Sequence, residues 1–268
     1  MSLVLTLGEV IDRLPGWQDA SWTELDGGLT NRTWLLEKEG VKSVLKIDPA
    51  ARSAPYSDRR GEALVQTAAA EAGLANRVLY ADDRVLLSEY AEGEVWTPRS
   101  FADADNLARL ADALRKLHAL APTGRSFDAA GAADVYVQSI ERDPDIVAIC
   151  RDIIAAVRTP QRVCLCHNDL VAENIVATPD IRFLDWEYAC DNDPLFDLAT
   201  IVEHHELSEG QAQHLLEYYS GSGTSSQQRL NEQRQLYRAL LWLWLASRPG
   251  SAEAELDEVA GRLLTSCS

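Results

Sequence analysis

Apolar and polar residues alternate in a two-residue rhythm along the first ninety positions, and turn residues interrupt it. Trp22-Thr23-Glu24-Leu25 runs into Asp26-Gly27-Gly28, and Thr33-Trp34-Leu35-Leu36-Glu37 resumes the extended pattern. Lys38-Glu39-Gly40 reads as a tight turn and 41–47 as a further β-rich run, so these segments predict an antiparallel meander. At Asp58 the rhythm becomes helical. Ala63, Leu64, Thr67, Ala68 and Glu71 recur at helical spacing as far as Ala72, and Gly73 supplies a stop. Val78-Leu79-Tyr80 and 84–90, parted by Asp82-Asp83, predict another hairpin.

After Ala91-Glu92-Gly93 the helical period dominates. Over 101–120, Leu107, Leu110, Leu114, Leu117 and Leu120 form one apolar stripe. Further helices are predicted over 133–157, 195–220, 227–247 and 252–265, with Gly221-Ser222-Gly223-Thr224-Ser225 as a flexible joint. Two short apolar runs, Val163-Cys164-Leu165-Cys166 and Ile181-Arg182-Phe183-Leu184, each end on a polar cluster. The expected fold class is α+β, with a small β-rich lobe over 1–90 and a larger helical lobe over 91–268. No internal repeat is visible.

Composition narrows the setting. With 46% hydrophobic and 25% charged residues among 268, the chain can bury a substantial core. No apolar run reaches the roughly 18 residues that span a bilayer. The first seventeen residues lack a basic stretch and meet Glu9 and Asp12 early, which argues against a secretory signal. Five cysteines without paired metal-ligand spacing read as reduced thiols in a cytoplasmic protein. The net charge of −17 disfavours nucleic acid or an anionic membrane as partner. It suits a cationic small molecule, although a solvated acidic surface has the same composition. An enzyme of this charge that handles ATP needs local cations, so single Lys and Arg positions become informative.

Three segments could together supply what phosphoryl transfer demands: a cation for the phosphates, oxygen ligands for Mg²⁺, and a carboxylate for the attacking hydroxyl. In His167-Asn168-Asp169-Leu170-Val171-Ala172-Glu173-Asn174, the acid and the amide stand five positions apart, the D-x-x-x-x-N spacing of a kinase catalytic loop. Asp169 would accept or align the hydroxyl proton, and Asn174 would offer its carbonyl oxygen to Mg²⁺. By itself such a loop could equally be a polar turn. Asp185 ends an apolar run 11 positions after Asn174, where a kinase holds its principal Mg²⁺ ligand, and Trp186 replaces the usual Phe. Lys46, flanked by Val44, Leu45 and Ile47, needs an anion if buried. Glu62 lies at a suitable distance on the following helix, and Glu71 shares that helix.

These residues resemble the aminoglycoside phosphotransferase and choline kinase superfamily. The likeness rests on Gly27-Gly28-Leu29-Thr30-Asn31, Lys46, Glu62, His167 to Leu170, Asn174, Leu184-Asp185-Trp186-Glu187-Tyr188-Ala189, and Asp193-Pro194-Leu195-Phe196-Asp197-Leu198-Ala199. The Asp-Trp-Glu-Tyr-Ala form is similar to bacterial choline kinases and thiamine kinase. The resemblance implies a bilobal protein-kinase-like fold, MgATP as donor and a hydroxyl acceptor. No G-x-G-x-x-G occurs, so Gly28, Thr30 and Asn31 are expected to cover the phosphates. Glu89 and Tyr90, at the join of the expected lobes, would set backbone groups against adenine. Only 11 residues separate Asp185 from Asp197, too few for a peptide-docking segment, so the acceptor should be small. Asp197 is expected to brace the catalytic-loop backbone.

For the acceptor, Glu187, Asp191 and Asp193 with Tyr237, Trp242 and Trp244 offer carboxylates and aromatic faces, which suit a quaternary ammonium. Choline leads, with thiamine and amino sugars or aminoglycosides as alternatives. Trp242 and Trp244 are two apart on a helix and so point to different sides, which also fits a plain core helix. A pseudokinase is disfavoured because Lys46, Asp169, Asn174 and Asp185 are all present. A hydrolase or metal site built on Cys164, Cys166 and His167 has only three ligands, and alternating core positions of a strand explain the cysteines better.

Overall fold

Side chains of Val41–Ile47 alternate between exposed and buried, as an amphipathic strand requires, and this strand is the middle of a five-stranded antiparallel sheet. The structure, a computed structural model, describes residues 7–25, 32–48, 58–221 and 224–265. The chain divides into two compact units: Met1–Val95 with Val176–Tyr188, and Trp96–Ile175 with Ala189–Ser268. The first unit thus takes in a stretch that a single cut near residue 90 leaves with the second.

In chain order the elements begin with α1 (Leu7–Arg13), β1 (Ser21–Leu25), β2 (Arg32–Lys38), β3 (Val41–Ile47) and α2 (Arg59–Glu71). Next come β4 (Val78–Ala81), β5 (Val85–Glu89), β6 (Glu94–Val95), α3 (Ala104–Leu117), α4 (Ala129–Val137) and α5 (Pro144–Ala156). Then follow β7 (Cys164–Cys166), β8 (Ile175–Ala177), β9 (Ile181–Phe183) and β10 (Cys190–Asn192). Four helices close the chain: α6 (Pro194–His204), α7 (Glu209–Ser220), α8 (Thr224–Ser247) and α9 (Glu253–Thr265).

In the first unit the sheet order is β1-β2-β3-β5-β4. Trp34 stands opposite Leu45, and Leu45 opposite Leu87, so one face is apolar across three strands. Val10, Ile11, Leu14 and Trp17, from α1 and the turn after it, pack on that face. This helix was not foreseen from the sequence. Lys46 lies between Leu45 and Ile47, so strand alternation turns it to the other face.

Helix α2 starts where Asp58 accepts a bond from the Gly61 N–H at 2.6 Å, a carboxylate N-cap, and it gives way to Gly73 at φ +76°. It packs against the short 3₁₀ turn Trp186–Tyr188, so the end of the β8–β9 hairpin joins this unit. The Phe183 N–H donates to Leu74 O at 2.7 Å and Arg182 to Asn76 Oδ1 at 3.0 Å, and β6 pairs with β8. Gly93 makes that pairing possible. Its φ is +151°, and a Cβ there would come within 2.6 Å of Ala177 O and 2.7 Å of Val176 Cγ1.

In the second unit Leu107, Leu110, Leu114 and Leu117 are buried along α3, as their stripe predicts, and α3 packs on α7. Helix α8 is the central rod, packed against α4, α5, α6 and α9. Two long helices expected from periodicity are each broken. The 133–157 span parts into α4 and α5 at Asp143, φ +46°, ahead of Pro144, whose ring suits a helix's first turn but has no N–H to continue one. The 195–220 span parts into α6 and α7 at Glu206, φ +49°, and Ser208 with Gln211 forms a capping box.

Replacing Gly93 with Ala should lower stability by about 1–3 kcal/mol through this overpacking. Urea unfolding followed by circular dichroism checks it, and an unchanged midpoint would show that the close approach is unimportant.

Candidate active site

Strand alternation sets Lys46 opposite the buried Leu86, which cannot satisfy its charge, and the first unit answers with carboxylates. Its Nζ donates to Glu62 Oε1 at 2.9 Å and to Asp185 Oδ1 at 2.8 Å. Glu62 is fully buried on α2, and its other oxygen accepts from Arg59, which is also fully buried. Arg59 reaches on to Asp48 Oδ1 at 2.7 Å. The result is a chain of alternating charge, Asp48–Arg59–Glu62–Lys46–Asp185. Burial alone would lower the Lys46 pKa, but the charges of Asp185 and Glu62 overcome it and hold the ammonium well above its usual range. Asp185 is the most exposed carboxylate of these five residues at 30% of its side chain, against 4% for Asp48 and 0% for Glu62. Its φ of +58° lies in the left-handed region that Asp and Asn tolerate best among side chains.

Glu62, rather than Glu71, is therefore the partner of Lys46. Glu187 is buried in the 186–188 turn at 2% exposure, close enough for its charge to support Lys46. The Glu89 N–H donates to Arg77 O at 2.9 Å and its C=O accepts from Asn76 at 3.0 Å, so the Glu89 backbone is already engaged within the sheet. Tyr90 is half exposed, and Lys42 sits 5.6 Å over its ring. Gly28, Thr30 and Asn31 lie outside the described residues.

In the second unit the loop 167–174 follows β7. Asp197, fully buried on α6, accepts the His167 N–H at 2.9 Å and the Asn168 N–H at 2.7 Å, one on each oxygen. That bracing permits Asn168 its φ of +65°. The Asn168 carboxamide is held in turn by Asn192 at 2.8 Å. Asp169, which follows, is half-buried. Asn174 Nδ2 donates to Asp169 O at 2.9 Å and to Asp169 Oδ2 at 3.1 Å, which directs the Asn174 carbonyl oxygen away from the loop. Asp185 in the first unit and Asn174 in the second each carry an oxygen atom of the hard kind that Mg²⁺ prefers. Mg²⁺ would supply charge neutralisation to a transferring phosphoryl group.

Two further residues expected at an acceptor pocket are absorbed by the fold. Asp191 accepts from the Thr123 N–H at 2.8 Å, the Thr123 hydroxyl at 3.0 Å and the Gly124 N–H at 2.7 Å. Trp242 is 1% exposed in the α8 core, so its faces meet protein, not a ligand. Sequence reasoning missed Arg59 and Asp48 of the charge chain. It also missed His118, whose Nε2 lies 3.0 Å from Asp197 Oδ2, and Glu203, which Arg234 and Arg238 both clasp. Arg59 stands three positions before Glu62, a spacing that could have flagged it. A cavity of about 470 Å³ opens beside α8, and Glu209, Glu232, Asn231, Arg234, Gln235 and Arg238 are among its lining residues, none of them aromatic.

Residues 21–243 match the family described as "Phosphotransferase enzyme family". The chain is 33% identical over 257 residues to Protein LicA of Haemophilus influenzae, covering 88% of this chain and 96% of that one. The chain belongs to this phosphotransferase family. Among solved structures it resembles the choline kinase LicA from Streptococcus pneumoniae, with a TM-score of 0.75 at 20% identity over 92% of this chain and 94% of that one. It also resembles LicA in complex with AMP, with a TM-score of 0.77 at 18% identity over 97% and 98% of the two chains. The phosphotransferase fold is thus the α+β, protein-kinase-like one that its sequence resembles. Among the described residues no helix is long and apolar enough to cross a membrane.

Converting Glu62 to Gln removes the central anion of the buried chain while Arg59 and Lys46 remain. The variant should lose about 3–5 kcal/mol in urea unfolding, because two buried cations then share fewer negative charges. A loss within experimental error would mean that the chain of charges does not hold the unit together.

His205 ends α6 with its ring stacked on Phe101, centroids 4.0 Å apart. Burial presses its pKa from 6.5 to about 4, the neighbouring His204 adds to the shift, and a bond to the Leu170 backbone opposes it. Between those two values the unfolded chain binds a proton that the folded chain refuses. The His205 contribution is therefore fully present above pH 6.5 and is lost as pH falls from there toward about 4. Melting temperatures across this window should fall less steeply in His205→Phe than in the wild type; superimposable profiles would refute the assignment.

Proposed function

We propose that the protein is an ATP-dependent kinase that transfers the γ-phosphoryl group to the hydroxyl of choline or a closely related amino alcohol. The observation that carries this reading is Lys46, bonded at once to a helix glutamate and to the aspartate after β9. A purely structural lysine needs one anion; one that also bonds a half-exposed carboxylate is poised to hold phosphates beside a metal.

In this reading Lys46 binds the donor phosphates, Asp185 and Asn174 supply oxygen ligands for Mg²⁺, and Asp169 orients the acceptor hydroxyl and takes its proton. Glu62 positions Lys46, and Asp197 positions the peptide leading to Asp169. Gly28, Thr30 and Asn31 are proposed phosphate contacts and Tyr90 an adenine contact. The relatives' chemistry and the net charge of −17 support a cationic acceptor. Reduced thiols and the use of ATP support a cytoplasmic location. A second reading keeps the same phosphotransferase family and takes a hydroxyl-rich acceptor such as an amino sugar.

The test is ADP release from MgATP across choline, ethanolamine, thiamine, amino sugars and aminoglycosides. Turnover is expected with choline or ethanolamine, and Asp169→Ala should cut it by ~10²–10⁴-fold while nucleotide binding is retained. Full activity in Asp169→Ala would sink the mechanism, and turnover confined to sugars would replace choline with the second reading.

A further inference from the structure

The helical unit holds a second group of reactive side chains that phosphoryl transfer does not use. Cys164 and Cys166 are two apart on β7, so their side chains share one face of the strand. Their Sγ atoms lie 3.9 Å apart, with no disulfide between them. Two thiolates on one tetrahedral cation, with metal–sulfur bonds near 2.3 Å, stand about 3.8 Å apart. His118, the C-cap of α3, completes the group: one donor atom from each of the three residues lies within 4.8 Å of the others, and all three are buried.

The hydrogen bonds around His118 select which nitrogen is available for a cation. Asp197 already accepts two backbone N–H groups, so it acts as an acceptor toward the imidazole, and His118 Nε2 carries the proton at 3.0 Å. The lone pair is then on Nδ1, which accepts from the Tyr219 hydroxyl at 2.8 Å. A histidine that presents one nitrogen to two thiols and donates its other N–H to a buried carboxylate has the carboxylate–histidine–metal arrangement of protein metal sites.

We propose that Cys164, Cys166 and His118 Nδ1 form a binding site for a thiophilic divalent cation of the zinc type. Charge selects the divalent ion: two thiolates and a neutral imidazole cancel its charge, as a buried site requires. On binding, each thiol releases its proton to solvent, and the Tyr219 hydroxyl yields its bond to Nδ1 and faces the fourth coordination position. The Nε2–H bond to Asp197 is preserved, so the brace on His167 and Asn168 remains while β7 and the end of α3 become cross-linked. Because the donors are buried, loading accompanies folding.

The full-length chain, as a Cys267→Ser variant to remove the thiol outside the described residues, would be produced in cobalt-supplemented medium and purified without chelator. The expected result is one cobalt per chain by atomic emission, with a thiolate-to-cobalt charge-transfer band and the visible bands of tetrahedral Co(II). Cys164→Ser should lose the metal, whereas Cys190→Ser and Cys150→Ala should keep it. Metal-free protein, cobalt bound without the thiolate band, or stoichiometric cobalt persisting in Cys164→Ser would each overturn the proposal. The spectrum of the otherwise unaltered chain decides the matter even if Cys164→Ser fails to fold. None of these readouts involves kinase turnover, so the site stands or falls independently of the proposed activity.

Discussion

An ammonium group cannot be buried in the middle of a β-sheet unless an anion comes with it, and in this protein Lys46 imposes that condition on everything near it. Glu62 must face the sheet, which fixes the rotation of α2 about its axis. Arg59, one helical turn earlier, must then be buried too, and it requires Asp48 at the end of β3. The remaining bond of Lys46 goes to Asp185, so the end of β9 has to return to the sheet unit although it lies far along the chain. Removing both charges of such a pair can be nearly neutral for stability, whereas removing one is costly. The arrangement therefore favours keeping all of its members or none.

Asp197 plays the corresponding part in the helical unit by a different physical route. It accepts backbone N–H groups that would otherwise be buried without partners at the strained start of the loop 167–174. The left-handed Asn168 is tolerable because those bonds over-determine it. The imidazole of His118 completes the partners of this carboxylate, so the peptide leading to Asp169 is set by contacts remote in sequence.

The sequence was most readable where local rules coincide with tertiary need. Strand alternation placed Lys46 away from the apolar face of β3, and the leucine stripe of α3 was buried as its period required. Spacing joined Asp169 to Asn174 because both serve one short loop. Elsewhere the decisive contacts are remote in sequence: His118 meets Asp197 across 79 positions, and no periodicity announces that. Arg59 was hidden by its neighbour, since Arg60 is exposed and pairs with Asp83 while Arg59 is fully buried. The break between α6 and α7 falls at Glu206 without Gly or Pro, so only the Ser208–Gln211 capping pair hints at it. Trp242 illustrates the opposite error. An aromatic in the run 240–245 is as good a core residue as a ligand cage, and packing decided for the core.

Because the segment Val176–Tyr188 belongs with the sheet, the first unit is discontinuous in sequence. A ribosome that has just finished residue 95 has made a sheet whose central lysine still lacks one of its two counter-charges. The stretch 96–175, which belongs to the other unit, emerges before the segment that carries that charge. The sheet unit therefore cannot mature as an early, self-sufficient product of translation, and it cannot pass between proteins as one uninterrupted gene segment. The two units are bound together by the order of their synthesis and inheritance, before any question of how they cooperate in chemistry.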